Sequence, residues 1–122
     1  MFGGYNDLYN ATYDEVYVLS VPGFVWFKAN YTAQTPRDHA TCAVVGRRQM
    51  LSVGGVRSGL AWPAIGADRD PWPQGIGVFD LSALVWKTGY EPDAAPYDSP
   101  PAVKAWYNQG LVHGCAFLVE RC

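Results

Sequence analysis

The sequence predicts an all-β protein built from short antiparallel strands and tight turns. Aromatic residues make up 15% of the chain, 13 glycines and 9 prolines interrupt it, and only 16% of its residues are charged. This composition favours many short strands and argues against disorder. Gly3-Gly4 and Gly54-Gly55 lie 51 residues apart, and a loop, an aromatic strand and a tryptophan-bearing strand follow each pair. A period near 50 residues is typical of propeller or solenoid arrays.

Residues 1–31 are predicted to form a partial repeat unit with one hairpin. Its arms are residues 15–21 and 24–29, and Pro22-Gly23 marks the turn. Four consecutive apolar residues in the second arm predict a strand that is covered on both faces. The polar stretch between the first glycine pair and the hairpin is expected to be a loop.

Residues 32–90 are predicted to form a fuller repeat unit with four strands. The strands are expected at 39–45, 49–53, 76–81 and 84–88, with a long loop over 56–75. The glycine pairs are expected to adopt positive φ or to approach backbone closely, where a Cβ would clash.

Residues 91–122 differ in composition from the two repeats. Four prolines break any sheet ladder, and a short helix is predicted over 101–108 with Asp98 or Ser99 as its N-cap. Val103, Trp106 and Tyr107 give that helix an apolar face because they are spaced i, i+3 and i+4. Residues 111–122 continue no repeat and have no assignment.

Charge and hydropathy exclude several classes of function. The net charge is −2, so nothing indicates binding to nucleic acid, and Arg47-Arg48 is interpreted as a hairpin turn. No apolar run approaches the ~20 residues that span a membrane, and the chain opens with no signal peptide.

Two N-glycosylation sequons, at Asn10 and Asn30, fall in predicted loops and suggest a secreted or cell-surface parent protein. Cys42 is expected to be a buried small apolar residue in a strand. Cys115 and Cys122 are close enough in sequence to close a short loop, but no pairing is fixed.

Two pairs contain residue types that ligate zinc, namely His39 with Cys42 and His113 with Cys115. A structural role is favoured, because residues i and i+3 of a strand point to opposite faces. Four loop carboxylates lack the context of a calcium loop and are interpreted as turn-forming residues: Asp68, Asp70, Glu91 and Asp93. We expect no cofactor and no catalytic residues.

Trp62 and Trp72 on the long loop are the tentative binding residues. Each precedes a proline, and together they would offer an aromatic platform for a peptide or a glycan. The alternative, which is favoured, is that they fold down and seal the edge of a sheet.

The two repeats resemble the kelch repeat: an apolar strand ending in Gly-Gly, a variable loop, an aromatic strand and a tryptophan strand. The residues that carry the resemblance are Gly3, Gly4, Tyr17 and Trp26 in the first repeat, and Gly54, Gly55, Phe79 and Trp86 in the second. The aromatic-to-tryptophan spacing is 9 in the first and 7 in the second. Segments 21–28 and 70–81 are also similar to kelch-type propellers of filamentous fungi.

The resemblance implies a β-propeller of four-stranded blades. This chain would hold about one and a half blades, fewer than the ~3 repeats expected to be stable alone. A fragment of a larger propeller is therefore predicted. Kelch-type propellers also include the galactose oxidase group of copper enzymes, whose ligand set is not recognisable here.

The sequence therefore predicts a non-enzymatic kelch-repeat module that binds or scaffolds a protein or glycan partner. Two alternatives stay open: a piece of a copper oxidase whose catalytic residues lie outside this chain, and a small independent β-sandwich that mimics the repeat.

Overall fold

The computed structural model describes residues 1–32, 36–57 and 69–109. These residues form antiparallel strands and one short helix, so the all-β prediction is confirmed. Three sheets are present among them: β1–β2, β3–β4, and a four-stranded sheet in the order β5-β6-β7-β8. The strands and the helix are β1 Tyr5–Asn6, β2 Ala11–Thr12, β3 Tyr17–Ser20, β4 Val25–Lys28, β5 Thr41–Val45, β6 Gln49–Val53, β7 Ile76–Asp80, β8 Val85–Lys87 and α1 Pro101–Asn108.

The polar stretch after the first glycine pair is more regular than the sequence predicted. β1 and β2 pair there, with Tyr5 opposite Thr12. Asn6 Oδ1 accepts hydrogen bonds from the backbone N–H groups of Leu8 and Tyr9, at 3.0 and 3.2 Å. An Asx-type turn of this kind depends on hydrogen bonds from one polar side chain to nearby backbone, and the pattern of apolar residues does not reveal it.

The β3–β4 hairpin and the β7–β8 hairpin share one register. Leu19 lies opposite Trp26, and Phe79 lies opposite Trp86. The spacing to the tryptophan is therefore 7 in both hairpins. The position of Phe79 is thus filled by Leu19, and not by Tyr17 as the sequence comparison suggested. The turns also match, since Phe24 and Leu84 occupy corresponding places with φ of 52° and 56°.

Both glycine pairs adopt positive φ, as predicted from the sequence. A Cβ on Gly3 would lie 2.4 Å from the carbonyl oxygen of Arg37, and a Cβ on Gly55 would lie 2.9 Å from that of Asp38. The two pairs therefore pack against the same connector, which links the N-terminal hairpin to the four-stranded sheet. This close approach of backbone to backbone requires glycine at Gly3 and Gly55, whereas Gly4 and Gly54 have no atom within 4 Å of an added Cβ and are explained by their positive φ alone.

Helix α1 covers one face of the β3–β4 hairpin. The Trp106 ring lies edge-on to Phe27, with 6.3 Å between centroids, and the Tyr107 hydroxyl lies 2.6 Å from Ser20 Oγ. The predicted apolar face is confirmed, since Val103 is buried and Trp106 and Tyr107 are half-buried. The N-cap prediction was wrong, because Pro100 takes that place and makes no side-chain capping bond.

Two predictions about burial were also wrong. The outward face of β4 is open to solvent: Trp26 is exposed, although four apolar residues in a row had suggested cover on both sides. Cys42 is exposed rather than buried, because β5 is the edge strand of the sheet. Apolar patterning identifies strands, but it does not say which strand lies at an edge.

A buried carboxylate fixes the turns of the four-stranded sheet. Asp80 is 1% exposed and accepts hydrogen bonds from the backbone N–H groups of Ser82 and Ala83, both at 2.9 Å. Its other oxygen lies 2.7 Å from a guanidinium nitrogen of Arg48, in the β5–β6 turn. Burial alone would raise the pKa of Asp80, but the two amides and Arg48 outweigh burial and lower the pKa.

Gln49 ties the exit segment to the sheet. Its buried side-chain amide donates to the carbonyl oxygen of Glu91 and accepts from the N–H of Glu91, both at 2.8 Å. The Gln49 side chain thus makes the two hydrogen bonds to the Glu91 backbone that a neighbouring strand would otherwise make. This pair of bonds directs the chain towards α1.

We expect Asp80→Asn to lower the free energy of unfolding by about 3 kcal/mol, because Arg48 loses its buried counter-charge. Denaturant unfolding would measure the change. The control is Asp98→Asn, which removes an exposed ion pair with Lys104 and should leave the midpoint unchanged. Equal midpoints for wild type and Asp80→Asn would contradict the assignment.

The same carboxylate predicts an acid sensitivity. The folded-state pKa of Asp80 is lowered, so its stabilising contribution is fully present above the ordinary aspartate pKa of about 3.9 and is lost as the pH falls through the lower folded value. Unfolding midpoints measured from pH 6 down to pH 2 should therefore fall more steeply in wild type than in Asp80→Asn. Parallel slopes would contradict the prediction.

Candidate functional site

Trp72 lies flat against the four-stranded sheet. Its ring is 5.0 Å from that of Trp86 between centroids, with 31° between the planes. Its backbone N–H donates to Asp70 Oδ1 at 3.0 Å, and this hydrogen bond holds the C-terminal end of the 56–75 loop. A Cβ on Gly77 would lie 2.5 Å from the Trp72 indole, so the absence of a side chain at Gly77 makes room for the ring.

Trp72 is part of an aromatic cluster that joins the N-terminal hairpin to the sheet. Phe2 lies 6.1 Å from Trp72 and 5.0 Å from Trp86, measured between ring centroids. Phe79 is fully buried and lies edge-on to Trp86 at 5.1 Å. Edge-to-face pairs of this kind stabilise beyond the area that they bury.

Tyr31 closes the cluster from the side of the N-terminal hairpin. Its ring lies 6.1 Å from Phe79, and its hydroxyl donates to the carbonyl oxygen of Asp14. Burial raises the pKa of Tyr31, and the negative charge of Asp14 raises it further, against a hydrogen bond with Trp86. Tyr31 is thus a packed, neutral hydroxyl.

The packing of Trp72 favours sealing of the sheet over an exposed platform. Trp72 is half-buried, and its faces are engaged by Trp86, Phe2 and Gly77. Trp62, the second residue of the predicted platform, lies outside the described residues. The platform formed by both tryptophans therefore stays a prediction.

A groove of about 330 Å³ lies beside the first glycine pair, lined by Met1, Gly3, Tyr13, Glu15 and Tyr17. Glu15 forms an ion pair with Lys28 at 3.3 Å, and the Lys28 ammonium lies 6.0 Å from the centre of the Tyr17 ring. Burial disfavours the Glu15 carboxylate, but hydrogen bonds from its backbone and from Lys28 prevail and lower its pKa. The groove's carboxylate is therefore already paired within the chain.

A second groove, of about 360 Å³, lies on the far face of the four-stranded sheet. Leu51, Val78 and Ile76 form its floor, and Thr88 to Tyr90 form one wall. Among the described residues that line it, the polar side chains are those of Gln74, Thr88 and Tyr90, and none of them is a carboxylate, an imidazole or a thiol. This groove is an apolar surface rather than a reaction site.

His39 and Cys42, one of the two pairs weighed as metal ligands, form no metal site with other described residues. His39 is exposed and its Nδ1 lies 3.0 Å from Asp38 Oδ2, while Cys42 is exposed on β5. Across residues 1–32, 36–57 and 69–109, no three His, Cys, Asp or Glu side chains come together. His113, Cys115 and Cys122 lie outside those ranges.

Two of the four carboxylates assigned to turns have local partners. Asp70 accepts from the backbone of Trp72, and Glu91 pairs with Lys87 at 3.0 Å. Asp93 is exposed, and Asp68 lies outside the described residues. Both sequon asparagines, Asn10 and Asn30, are exposed.

Sequence reasoning missed one exposed apolar feature. Leu8 and Tyr9 are 83% and 73% exposed at the tip of the ordered β1–β2 hairpin. The signal available was the asparagine spacing around them, with Asn6 and Asn10 at the two ends of a turn.

In the part of the chain that the structure describes, no helix has the length and apolar character to cross a bilayer.

We expect Trp72→Ala to destabilise the protein by about 3 kcal/mol, because it removes the ring that covers Trp86 and Phe2. Gly77→Ala should destabilise it as well, since the new methyl group overlaps the indole. Thermal unfolding followed by circular dichroism would measure both. The matched control is Tyr97→Ala, at an exposed aromatic position. An unchanged melting temperature in both sheet variants would support the exposed platform instead.

Comparison with known proteins supports the kelch resemblance. The chain is 31% identical over 96 residues to a kelch repeat-containing protein of Arthroderma benhamiae, and the match covers 74% of this chain. The matched segment is 13% of the length of that relative. No protein-family profile matches the chain, and no solved structure matches it. Together with the two matching hairpins and the two glycine pairs, this similarity supports a kelch-like chain.

Proposed function

We propose that this chain is a non-enzymatic kelch-repeat module that binds or scaffolds a protein or glycan partner. Its similarity to a kelch repeat-containing protein is the observation that carries the proposal. That relative is several times longer than the matched segment, which supports a module within a larger propeller. The proposed module consists of a partial blade at 1–31, a blade at 32–90 and an exit segment at 91–122.

The loops that follow the glycine pairs are the proposed binding edge. Both pairs lie against the connector at Arg37 and Asp38, so the loops at 5–12 and 56–75 leave from neighbouring points. Leu8 and Tyr9 extend from the first loop on a hydrogen-bonded turn, which supports their use as a preorganised contact. Trp62 belongs to the second loop. Trp72, which is packed on the sheet, is assigned a structural role.

The binding proposal is tested with defined glycan and protein arrays probed with the purified chain. We expect a reproducible binder whose signal falls at least tenfold in Leu8→Ser/Tyr9→Ser or in Trp62→Ser. The control is Val44→Ser, an exposed apolar residue on β5. No binder on either array, or binding that ignores the loop variants, would refute the proposed edge.

We propose a secreted or cell-surface parent protein, which the exposed sequons at Asn10 and Asn30 support. Both side chains are accessible, as an attached glycan requires. When the chain is expressed through a secretory pathway, its mass should exceed the unmodified value by two N-linked glycans, and an N-glycosidase should remove both. Asn10→Gln and Asn30→Gln should each remove the mass of one glycan. An unmodified secreted chain would contradict this part of the proposal.

A further inference from the structure

The β1–β2 hairpin carries a proposed contact and a proposed modification site on one turn. Leu8 and Tyr9, the apolar tip of this hairpin, are 83% and 73% exposed, and the sequon residue Asn10 directly follows them. The backbone N–H of Asn10 donates to the carbonyl oxygen of Asp7 at 3.4 Å, and the paired strands close the base of the turn. The apolar tip and the sequon asparagine therefore leave from the same turn, at 7–10.

The side-chain amide of Asn10 is held by the hairpin itself. The Tyr5 hydroxyl donates to Asn10 Oδ1 at 2.5 Å, and Tyr5 lies on β1 opposite Thr12, the third residue of the sequon. This hydrogen bond uses the amide oxygen, whereas an N-linked glycan is attached through Nδ2, so the bond and the glycan are compatible. The first sugar of a glycan at Asn10 therefore begins at a fixed place on the hairpin.

A glycan that begins at Asn10 competes with a partner for the space above the apolar tip. Consecutive Cα atoms are about 3.8 Å apart, so those of Tyr9 and Leu8 lie within about 8 Å of that of Asn10. A partner gains from the apolar tip only by removing water from it, which requires close contact over this small surface. A glycan is bulky and solvated, so it fills the same space with polar groups.

The second sequon provides a contrast within the same chain. Asn30 follows β4 and lies between Ala29, which is 2% exposed, and Tyr31, whose ring packs on Phe79. Its exposed side chain therefore leaves from the connector beside the core and not from the β1–β2 turn. A glycan at Asn30 begins on a different element from the apolar tip.

We propose that an N-linked glycan at Asn10 covers the apolar tip, so that Leu8 and Tyr9 are open to a macromolecular partner only in copies that lack this glycan. The inference rests on the proposed function, because it connects the sequon at Asn10 with the binding edge at 5–12. Occupancy of this sequon thus regulates the contact made by the first loop.

The test is limited proteolysis of the folded chain by chymotrypsin, which cleaves after Leu8 and Tyr9 and is a macromolecular probe of the apolar tip. The whole chain is expressed through a secretory pathway, and mass spectrometry gives the glycan occupancy at each sequon. Thr12→Val removes the first sequon but keeps the Asn10 side chain. Copies with the glycan at Asn10 should be cleaved at the tip about tenfold more slowly than Thr12→Val, because an uncovered loop tip is a preferred site of cleavage.

Two controls separate cover of the apolar tip from other effects of a glycan. Cleavage after Tyr97, which is 50% exposed in the exit segment, should proceed at the same rate in all forms. Thr32→Val removes the glycan at Asn30, and the apolar tip should stay protected in this variant. Asn10→Gln is a second way to remove the first glycan should Thr12→Val fail to fold, and circular dichroism checks the fold of each variant.

Equal cleavage of the apolar tip with and without the glycan at Asn10 would overturn the inference and leave the proposed glycosylation and binding edge standing. Equal slowing after Tyr97, or loss of protection in Thr32→Val, would also overturn it, since the first glycan would then not be the cover. An Asn10 that carries no glycan in any copy would overturn both the inference and the proposed glycosylation of this site. Because chymotrypsin is the probe, the test needs no binder and is decided independently of the array experiment on the binding edge.

Discussion

The contact between Phe79 and Trp86, closed by Phe2, is the interaction on which the described structure depends. Phe79 is fully buried, and it has Trp86 on one side and the Tyr31 ring on the other. Phe2, which precedes the first glycine pair, packs against Trp86 and the rest of this cluster. The hairpin and the sheet therefore share one core. Because a small core offers few alternatives, each of these rings holds a large share of the apolar contact.

The polar groups hold the elements around that core in register. Asp80 binds the β7–β8 turn and, through Arg48, the β5–β6 turn, while Gln49 holds the start of the exit segment. The glycine pairs allow the connector at Arg37 and Asp38 to pass close to both strand ends. Aromatic packing therefore provides the attraction between the repeats, and the buried polar groups determine their orientation.

The same architecture explains why the two repeats differ in exposure although they match in register. Trp86 is covered by Phe2 and Trp72, whereas Trp26 is 53% exposed. A β-sheet has two faces, and a repeat must bury both against neighbours to be fully stable.

The sequence by itself determined the repeat, the strand β6, the helix α1 and the positive φ of the glycine pairs. These follow from local rules: alternation along a strand, helical spacing and the steric cost of a Cβ. Only the tertiary structure decided that Cys42 is exposed, that Trp72 lies on the sheet and that Leu19, not Tyr17, matches Phe79. Those outcomes depend on which strand lies at an edge and which face has a neighbour, and both are set by contacts between residues far apart in the chain.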